Sequence, residues 1–474
     1  MANDAPESVF EAALAYISEA PSYHIALEMV LILWIVYLLF FSRQYKPESK
    51  RDKLTKEEEE QIIAQWEPEP LVPNVYPTDR TVDTAPIVTG VAGLQVTVNG
   101  KRCLNLATFN FLGLLGEQGI TNKAAESIQK YGVGSCGPRG FYGTFDVHLE
   151  LEEKLAKFLG CEEAIIYSYG FAAISSAIPA YSKRRDIIFC DSGANYAVQK
   201  GLVASRSKVK YFKHNDMADL ERLLEEQRKL DEKNPAKAKV TRKFIVAESL
   251  YMNYGDLVPL PKLVELRNKY RVPIFLEESL SFGVLGKTGR GATEHFGIPV
   301  TEVDIIVASM ETSMASVGGF CVGKSYIIDH QRLSGLGYCF SASLPPLTAV
   351  ASIEALGVIN NSSQKLERLR SNAQYLRKLL SSVKALTVGG DDVCPIIHLR
   401  LSKTMSNDVA AKLLQDVADE CIVNGVAVVT SKYLDEESPP PPPSLRLTVS
   451  SEHSQEDLGQ AVSVIEAALA KCLP

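Results

Sequence analysis

Hydrophobic and polar positions divide this chain into regions with different periods. Ile25 to Phe41 is apolar at every position except Glu28. A run of that length sits at the short end of the roughly 17 to 25 residues that span a bilayer, and Glu28 lies near one end, where a charge costs less than at the centre. The pattern predicts one transmembrane helix over 25–41, with a helix lying in the interface as the alternative. Ahead of it, in the predicted lumenal segment 1–24, Val9, Phe10, Ala13, Leu14 and Ile17 recur at helical spacing. They predict a short amphipathic helix, on the membrane surface or docked on a partner's membrane helix. No Lys or Arg precedes the apolar run, whereas Arg43, Lys46, Lys50, Arg51 and Lys53 follow it. The positive-inside rule therefore places the rest of the chain in the cytosol. The basic n-region and small-residue cleavage site of a secretory signal are both missing.

Residues 42–95 read as a connector. Lys56 to Glu60 open a solvated polar helix, and the prolines of Trp66 to Pro73 impose an extended arm without a core of its own, predicted to lie across a partner. From 96 to 345 short apolar runs alternate with helical patterns: Ala164–Ser168, Ile187–Cys190, Lys243–Ala247, Val272–Leu276, Asp304–Ala308 and Gly318–Val322. Buried runs separated by helices predict an α/β domain with a mostly parallel sheet covered on both faces. Past Pro345-Pro346 a long helix leads into a smaller C-terminal α+β domain, 346–474. That domain ends in the amphipathic stretch Glu456–Ala470 and contains a stiff polyproline loop, Pro439–Pro443, suited to a rim or partner contact.

At 474 residues the chain exceeds one ordinary core, and its net charge of -7 gives no nucleic-acid footprint. The nine cysteines stand singly with no C-x-x-C, which reads as reduced thiols facing the cytosol. None of the seven histidines has metal-ligand spacing, so they read as surface or packing residues.

The chemistry lies in motifs. Ser309 to Gly319 resembles T-x-x-K-S-F-A-S-x-G-G, the cofactor loop of the α-oxoamine synthases, pyridoxal-phosphate enzymes that condense an amino acid with an acyl-CoA. Counting back from Gly318-Gly319 puts Thr312 at the lysine, and a hydroxyl forms no imine. Glu277 to Gly286 resembles the family's D-E-A-H-S-x-G-x-L-G, with Glu277 at the Asp that keeps the ring nitrogen protonated and Leu280 at the His. Asp191 to Ala197 resembles D-x-x-x-H-A-S, with Asn195 at the His that stacks on the ring. Lys324 or Lys287 would have to replace the amine if this chain ran the reaction alone, and neither has the family's spacing.

Other motifs of the same family are kept. Asn110 to Leu114 resembles N-Y-L-G-L. Tyr131 to Thr144, with Cys136, Arg139, Phe141, Tyr142 and Thr144, resembles the glycine-rich turn, and His148 to Glu152 the helix start that follows it. Ser341 to Pro346 resembles T-A-S-L-P-P, whose hydroxyls, here Ser341 and Ser343, face the neighbouring subunit's phosphate. Leu445 to Thr448 resembles L-R-x-T, whose arginine, here Arg446, grips the substrate carboxylate, and Tyr169 to Ala173 sits where the family cradles the cofactor phosphate.

The resemblance implies a fold type I pyridoxal-phosphate transferase behind one membrane helix, with active sites at a dimer interface. It implies that this chain is the non-catalytic subunit of an endoplasmic reticulum membrane enzyme joining L-serine to palmitoyl-CoA. The partner, a catalytic subunit of the same family, would hold the cofactor covalently and supply the Lys, Asp and His. Asn110, the Cys136 to Phe145 loop and the Ser341 to Ser343 turn would complete its site, with Cys136 either touching substrate or only packing. Small activating subunits and Orm-type regulators are further implied partners. The competing readings are a self-sufficient homodimer using a displaced lysine and a scaffold for a partner already complete.

Overall fold

The computed structural model describes residues 21–40, 54–69, 86–433 and 440–473. The chain separates into two compact units, Met1–Thr84 and Ala85–Pro474.

In the first unit, Ser22–Phe40 forms a 19-residue helix of mean hydropathy 2.1 with none of its residues buried. It is long and apolar enough to cross a membrane. The predicted amphipathic helix around Val9 to Ile17, the basic cluster from Arg43 to Lys53 and the arm beyond Glu69 lie outside the described residues, as do Phe41 and Pro439. The polar helix is Lys56–Gln65, and a capping box starts it: the Thr55 hydroxyl accepts the Glu58 N–H at 3.3 Å and the Glu58 carboxylate accepts the Thr55 N–H at 2.8 Å.

The second unit opens with β1 (Val88–Thr89), β2 (Gln95–Val98) and β3 (Lys101–Asn105), an antiparallel run. Seven strands follow as one large sheet: β4 (Glu163–Tyr167), β5 (Ile187–Asp191), β6 (Lys208–Phe212), β7 (Lys243–Glu248), β8 (Ile274–Glu277), β9 (Ile305–Ser309) and β10 (Gly319–Gly323), in the order β4-β10-β9-β8-β7-β5-β6. The contacts among β6, β5, β7, β8 and β9 are parallel, as the buried apolar runs require. β10 runs antiparallel to both neighbours. The nine residues between β9 and β10 make no crossover helix, so the chain turns back, and that turn carries Thr312. β6 was not among the predicted runs because it is a part-exposed edge carrying Lys208 and Lys210.

Helices Gly170–Tyr181 and Tyr196–Ser205 cover one face and approach closely at Gly201, where a Cβ would meet the Ile178 side chain at 2.8 Å. The long helix predicted after Pro345 is Pro346–Asn361, packed on helices Gln118–Tyr131 and Asp146–Leu159. The last region holds β11 (Leu386–Gly389), β12 (Ile396–Leu401), β13 (Val426–Ala427), β14 (Val429–Thr430) and β15 (Leu445–Thr448). β11, β12, β15 and β14 make a four-stranded sheet, while β13 returns to pair in parallel with β3. The closing helix is Gln455–Cys472.

Candidate functional site

Ligands of open parallel sheets collect at the carboxyl ends of the strands. Here those ends are Asp191 of β5, Glu248 of β7, Glu277 of β8 and Ser309 of β9. Glu277 is buried. Its Oε1 accepts the Ser279 N–H at 2.8 Å, while Oε2 is buried without a partner. Burial raises the Glu277 carboxyl to about 7. Glu248 stands beside it in register, accepts the Asn195 N–H and the Met252 N–H, and is pushed well above the usual carboxylate range by burial and then by the charge of Glu277.

The other degenerate positions have intramolecular roles. The Thr312 hydroxyl donates to the Ser279 carbonyl at 2.6 Å, and Leu280 is buried in the main core. Asn195 caps helix Tyr196–Ser205 by accepting the Val198 N–H at 3.1 Å. Asp191 accepts N–H groups from Gly193 and Asn215 and meets His214 at 2.8 Å. Burial disfavours the charged His214 imidazole, but its bonds to Asp191 and Asp256 prevail and hold its pKa at about 9. Gly170, the first residue of helix Gly170–Tyr181, donates its N–H to Glu311 Oε1 at 3.1 Å.

Pyridoxal phosphate does not fit these residues. No amine stands at 312, Leu280 offers no hydrogen bond, and Asn195 is committed to its helix. Glu277 Oε2 is a buried acceptor without a partner, the Tyr251 and Ser313 hydroxyls and Asn215 Oδ1 are likewise buried and unpartnered, and Glu277 shares its ground with a second buried acid. Lys324 supplies no substitute, because β10 ends at Gly323 opposite Glu163 and Ile305, the first residues of β4 and β9, at the far edge of the sheet. Lys287 is exposed.

The kept motifs make a second region. Arg139, itself buried, forms a two-bonded pair with Glu152 at 2.8 and 3.0 Å and donates from Nε to the Thr144 hydroxyl at 3.0 Å. Glu152 also accepts the Ile166 N–H at 3.1 Å, which ties the loop to β4 through helix Asp146–Leu159. Ser343 N–H donates to Gly137 O at 2.9 Å, Ser135 Oγ donates to Ser343 O at 2.9 Å, and the Ser343 hydroxyl donates to Gly143 O. His148 accepts the Phe145 N–H on Nδ1 at 3.1 Å and so donates from Nε2 to Leu344 O at 2.7 Å. Burial, then the charge of Arg139, lowers its pKa to about 4 and keeps that arrangement neutral. Gly143 has no room for a Cβ against Gly137 O. The loop and the turn are thus stitched together.

What they present outward is apolar. Phe141 is 70% exposed and Tyr142 fully so, while Cys136 and Tyr142 sit at φ 56° and 62°, a left-handed geometry that non-glycine residues seldom adopt. Exposed Tyr169, Phe171, Leu336 and Phe340 lie on segments joined to this region, through Ser168 bonded to Ala342 O and Gly337 N–H bonded to Ser176 Oγ at 2.9 Å. An apolar surface of this kind marks an interaction site. Cys136 is exposed, and Ser341 is half-buried with its hydroxyl bonded at 3.3 Å to the adjacent Ala342 O. Asn110 is buried and accepts the Leu115 N–H at 3.3 Å. Arg446 lies on β15, 4.4 Å from the Phe109 ring, donates to Ala107 O at 3.2 Å, and is held down to about 10 by burial.

Two residues of this geometry carried no role in the sequence reading. Glu248 follows a buried run whose apolar pattern predicts only a strand. Glu311 adjoins Thr312, and only the fold shows that it reaches helix Gly170–Tyr181.

Comparison with known proteins bears on both regions. The aminotransferase class I and II family matches residues 101–465. Long chain base biosynthesis protein 1b of Oryza sativa subsp. japonica is 44% identical, covering 92% of this chain and 89% of its own length. Serine palmitoyltransferase 1 of Dictyostelium discoideum is 42% identical, covering 95% of each. A solved structure described as SPT with PLP internal aldimine superposes with TM-score 0.74 at 25% identity, over 83% of this chain and 94% of that one.

Proposed function

The chain belongs to the serine palmitoyltransferase 1 family, within the aminotransferase class I and II proteins, and from that premise we propose that it is the non-catalytic but required subunit of a membrane serine palmitoyltransferase. The complex joins L-serine to palmitoyl-CoA, releases CO2 and CoA, and yields 3-ketodihydrosphingosine, the first step of sphingolipid synthesis. The catalytic subunit holds pyridoxal phosphate covalently on its own lysine, and the group supplies the electron sink there. This chain provides the dimer face, Asn110, the Cys136 to Phe145 loop and the Ser341 to Ser343 turn at the edge of the partner's site. Within that set Arg139, Thr144 and Ser343 hold the loop and turn together, while Cys136, Phe141, Tyr142 and Ser341 face outward.

The observation that carries the proposal is one contrast. The pocket has no amine at Thr312, yet the loop and turn that would serve a neighbour remain locked and expose aromatic rings. Expression of each chain alone and of both together, with product measured, tests it. Product is expected only from the pair. Product from this chain alone would favour a homodimeric synthase, and full activity of the partner alone would favour a scaffold.

The Ser22–Phe40 helix supports a single-pass membrane anchor, and the endoplasmic reticulum location, lumenal N-terminus and cytosolic main domains, 96–345 and 346–474, are proposed on the resemblance and on the Lys and Arg residues that follow the helix. A glycosylation acceptor inserted before Ser22 should be modified and one inserted after Lys53 should not; the reverse pattern overturns the orientation. Small activating subunits and Orm-type regulators are proposed to join the assembly on the resemblance alone, and mass spectrometry of the complex purified from membranes tests them: their absence removes them from it.

A further inference from the structure

The pocket of this chain has lost more than its amine. The N-terminus of a helix attracts anions because its first N–H groups point outward unpaired and the helix dipole is positive there. Helix Gly170–Tyr181 is 12 residues long and begins beside the pocket, where a phosphate would sit, and its first N–H is already bonded to the Glu311 carboxylate at 3.1 Å. Glu311 is held there through its own backbone. Its N–H donates to Ser309 Oγ at 3.0 Å, Ser309 N–H donates to Ser279 Oγ at 2.8 Å, and Ser279 O takes the Thr312 hydroxyl.

Acidic residues crowd the strand ends, and the cation beside them, His214, is already bonded to Asp191 and Asp256. Segments 168–173, 191–197, 248–253, 277–281 and 309–316 contain Asp191, Glu248, Glu277, Glu278 and Glu311 and no Lys or Arg. A phosphate dianion entering this space would have to displace the Glu311 carboxylate, and no Lys or Arg on these segments would balance its charge in that poorly solvated setting.

We propose that Glu311 closes the cofactor region at this chain's strand ends by placing its carboxylate on the N-terminus of helix Gly170–Tyr181, where the resemblance puts the phosphate, so that each heterodimer holds one equivalent of pyridoxal phosphate and this chain holds none, covalently or otherwise. The proposal deepens the non-catalytic assignment and rests on it. It also separates two losses. Thr312 removes the covalent bond, and Glu311 removes the anion site that would precede it.

The test uses the full complex purified with its catalytic partner. Pyridoxal 5′-phosphate is counted per heterodimer, and the labelled peptides are mapped after borohydride reduction. Wild type is expected to hold one equivalent, with no label on this chain. Thr312→Lys alone should acquire little label at position 312. Thr312→Lys with Glu311→Ser should acquire roughly 10 to 100 times more at the same cofactor concentration, as freeing a helix N-terminus for an anion and removing a like charge would give. Thr312→Lys with Glu311→Gln keeps an oxygen for the Gly170 N–H and guards against a misfolded serine variant; it should gain by a smaller factor. Two equivalents on wild type, or equal label on all three lysine variants with heterodimer recovery unchanged, overturns the closure. Either result leaves the subunit assignment standing, since that fails only by product from one chain alone.

Discussion

The pocket and the Cys136 to Ser343 surface descend from the same family motifs, yet they have been treated in opposite ways. In the pocket the reactive side chains of the motifs are replaced, Thr312 bonding Ser279 O, Asn195 accepting Val198 N–H and Leu280 packing in the core, while neighbouring Glu311 takes the Gly170 N–H. In the loop and turn both are kept, with Arg139, Thr144 and Ser343 locked inward and Phe141 and Tyr142 held out. The difference indicates what the chain is maintained for. On the proposed assignment, positions that would serve its own chemistry are bonded or packed within the chain, while those that present a surface stay exposed. The comparison breaks if pocket substitutions change activity, or if outward loop substitutions change only stability.

The largest effect is expected at Arg139. Its pair with Glu152 is buried on both sides, and removing one partner of such a pair costs about 3 to 5 kcal/mol because the other charge is left unpaired. Arg139→Ala should therefore lower the unfolding midpoint and the recovery of the heterodimer together. Unchanged recovery would mean that the loop is not held by this pair.

Glu277 tests the pocket side. Its carboxyl is raised from 4.5 to about 7, so the folded state binds more protons than the unfolded state between those values. Stability from this group is complete below about pH 4.5 and is lost as pH rises through 7, by on the order of 3 kcal/mol for a shift of this size. Glu277→Gln should remove that slope and stabilise the protein at pH 8 while leaving the activity of the complex unchanged. A fall in activity with stability intact would place Glu277 in the chemistry and end the contrast.

Next come the outward residues. Cys136→Trp and Ser341→Trp should leave complex recovery largely intact and lower kcat/KM, or alter which amino acid is accepted, by roughly 1 to 3 kcal/mol per misfit group. Cys136 already holds a left-handed φ without glycine, so tryptophan there adds bulk more than new backbone strain. If either variant fails only by losing the partner, the surface is a dimer contact and nothing more.

Much of this was legible from residue order, for physical reasons. Buried parallel strands are continuous apolar runs, and six of the seven in the large sheet were visible as such. β6 was hidden because an edge strand with Lys208 and Lys210 carries no such run. Thr312, Glu277, Leu280 and Asn195 were readable because each departs from a spaced motif. Their new partners were not, because a hydrogen bond from 311 to 170 spans 141 residues and only the return of β10 beside β4 brings those segments together. The internal use of the Ser343 hydroxyl was hidden for the same reason, since Gly143 lies 200 residues away.

The smallest effect is expected at Arg446, which tests whether a kept motif residue can be a remnant. The resemblance implies that this arginine grips the substrate carboxylate in the subunit that carries the lysine, and here Thr312 stands at the lysine position. The side chain makes a cation–π contact with Phe109 and one bond to Ala107 O, and its Nε is buried without a partner. Burial already lowers its pKa to about 10, so the local structure does little to favour the charge. Replacement by Ala loses a contact of about 0.5 to 2 kcal/mol and one hydrogen bond to a carbonyl, and it also removes a guanidinium that was incompletely paired, so the two changes oppose each other. Arg446→Ala in the complex should shift the unfolding midpoint slightly and leave KM for L-serine unchanged within twofold. A tenfold rise in KM for L-serine, with stability unchanged, would mean that this chain still binds a carboxylate at Arg446, and the pocket would no longer stand as the inert half of the comparison.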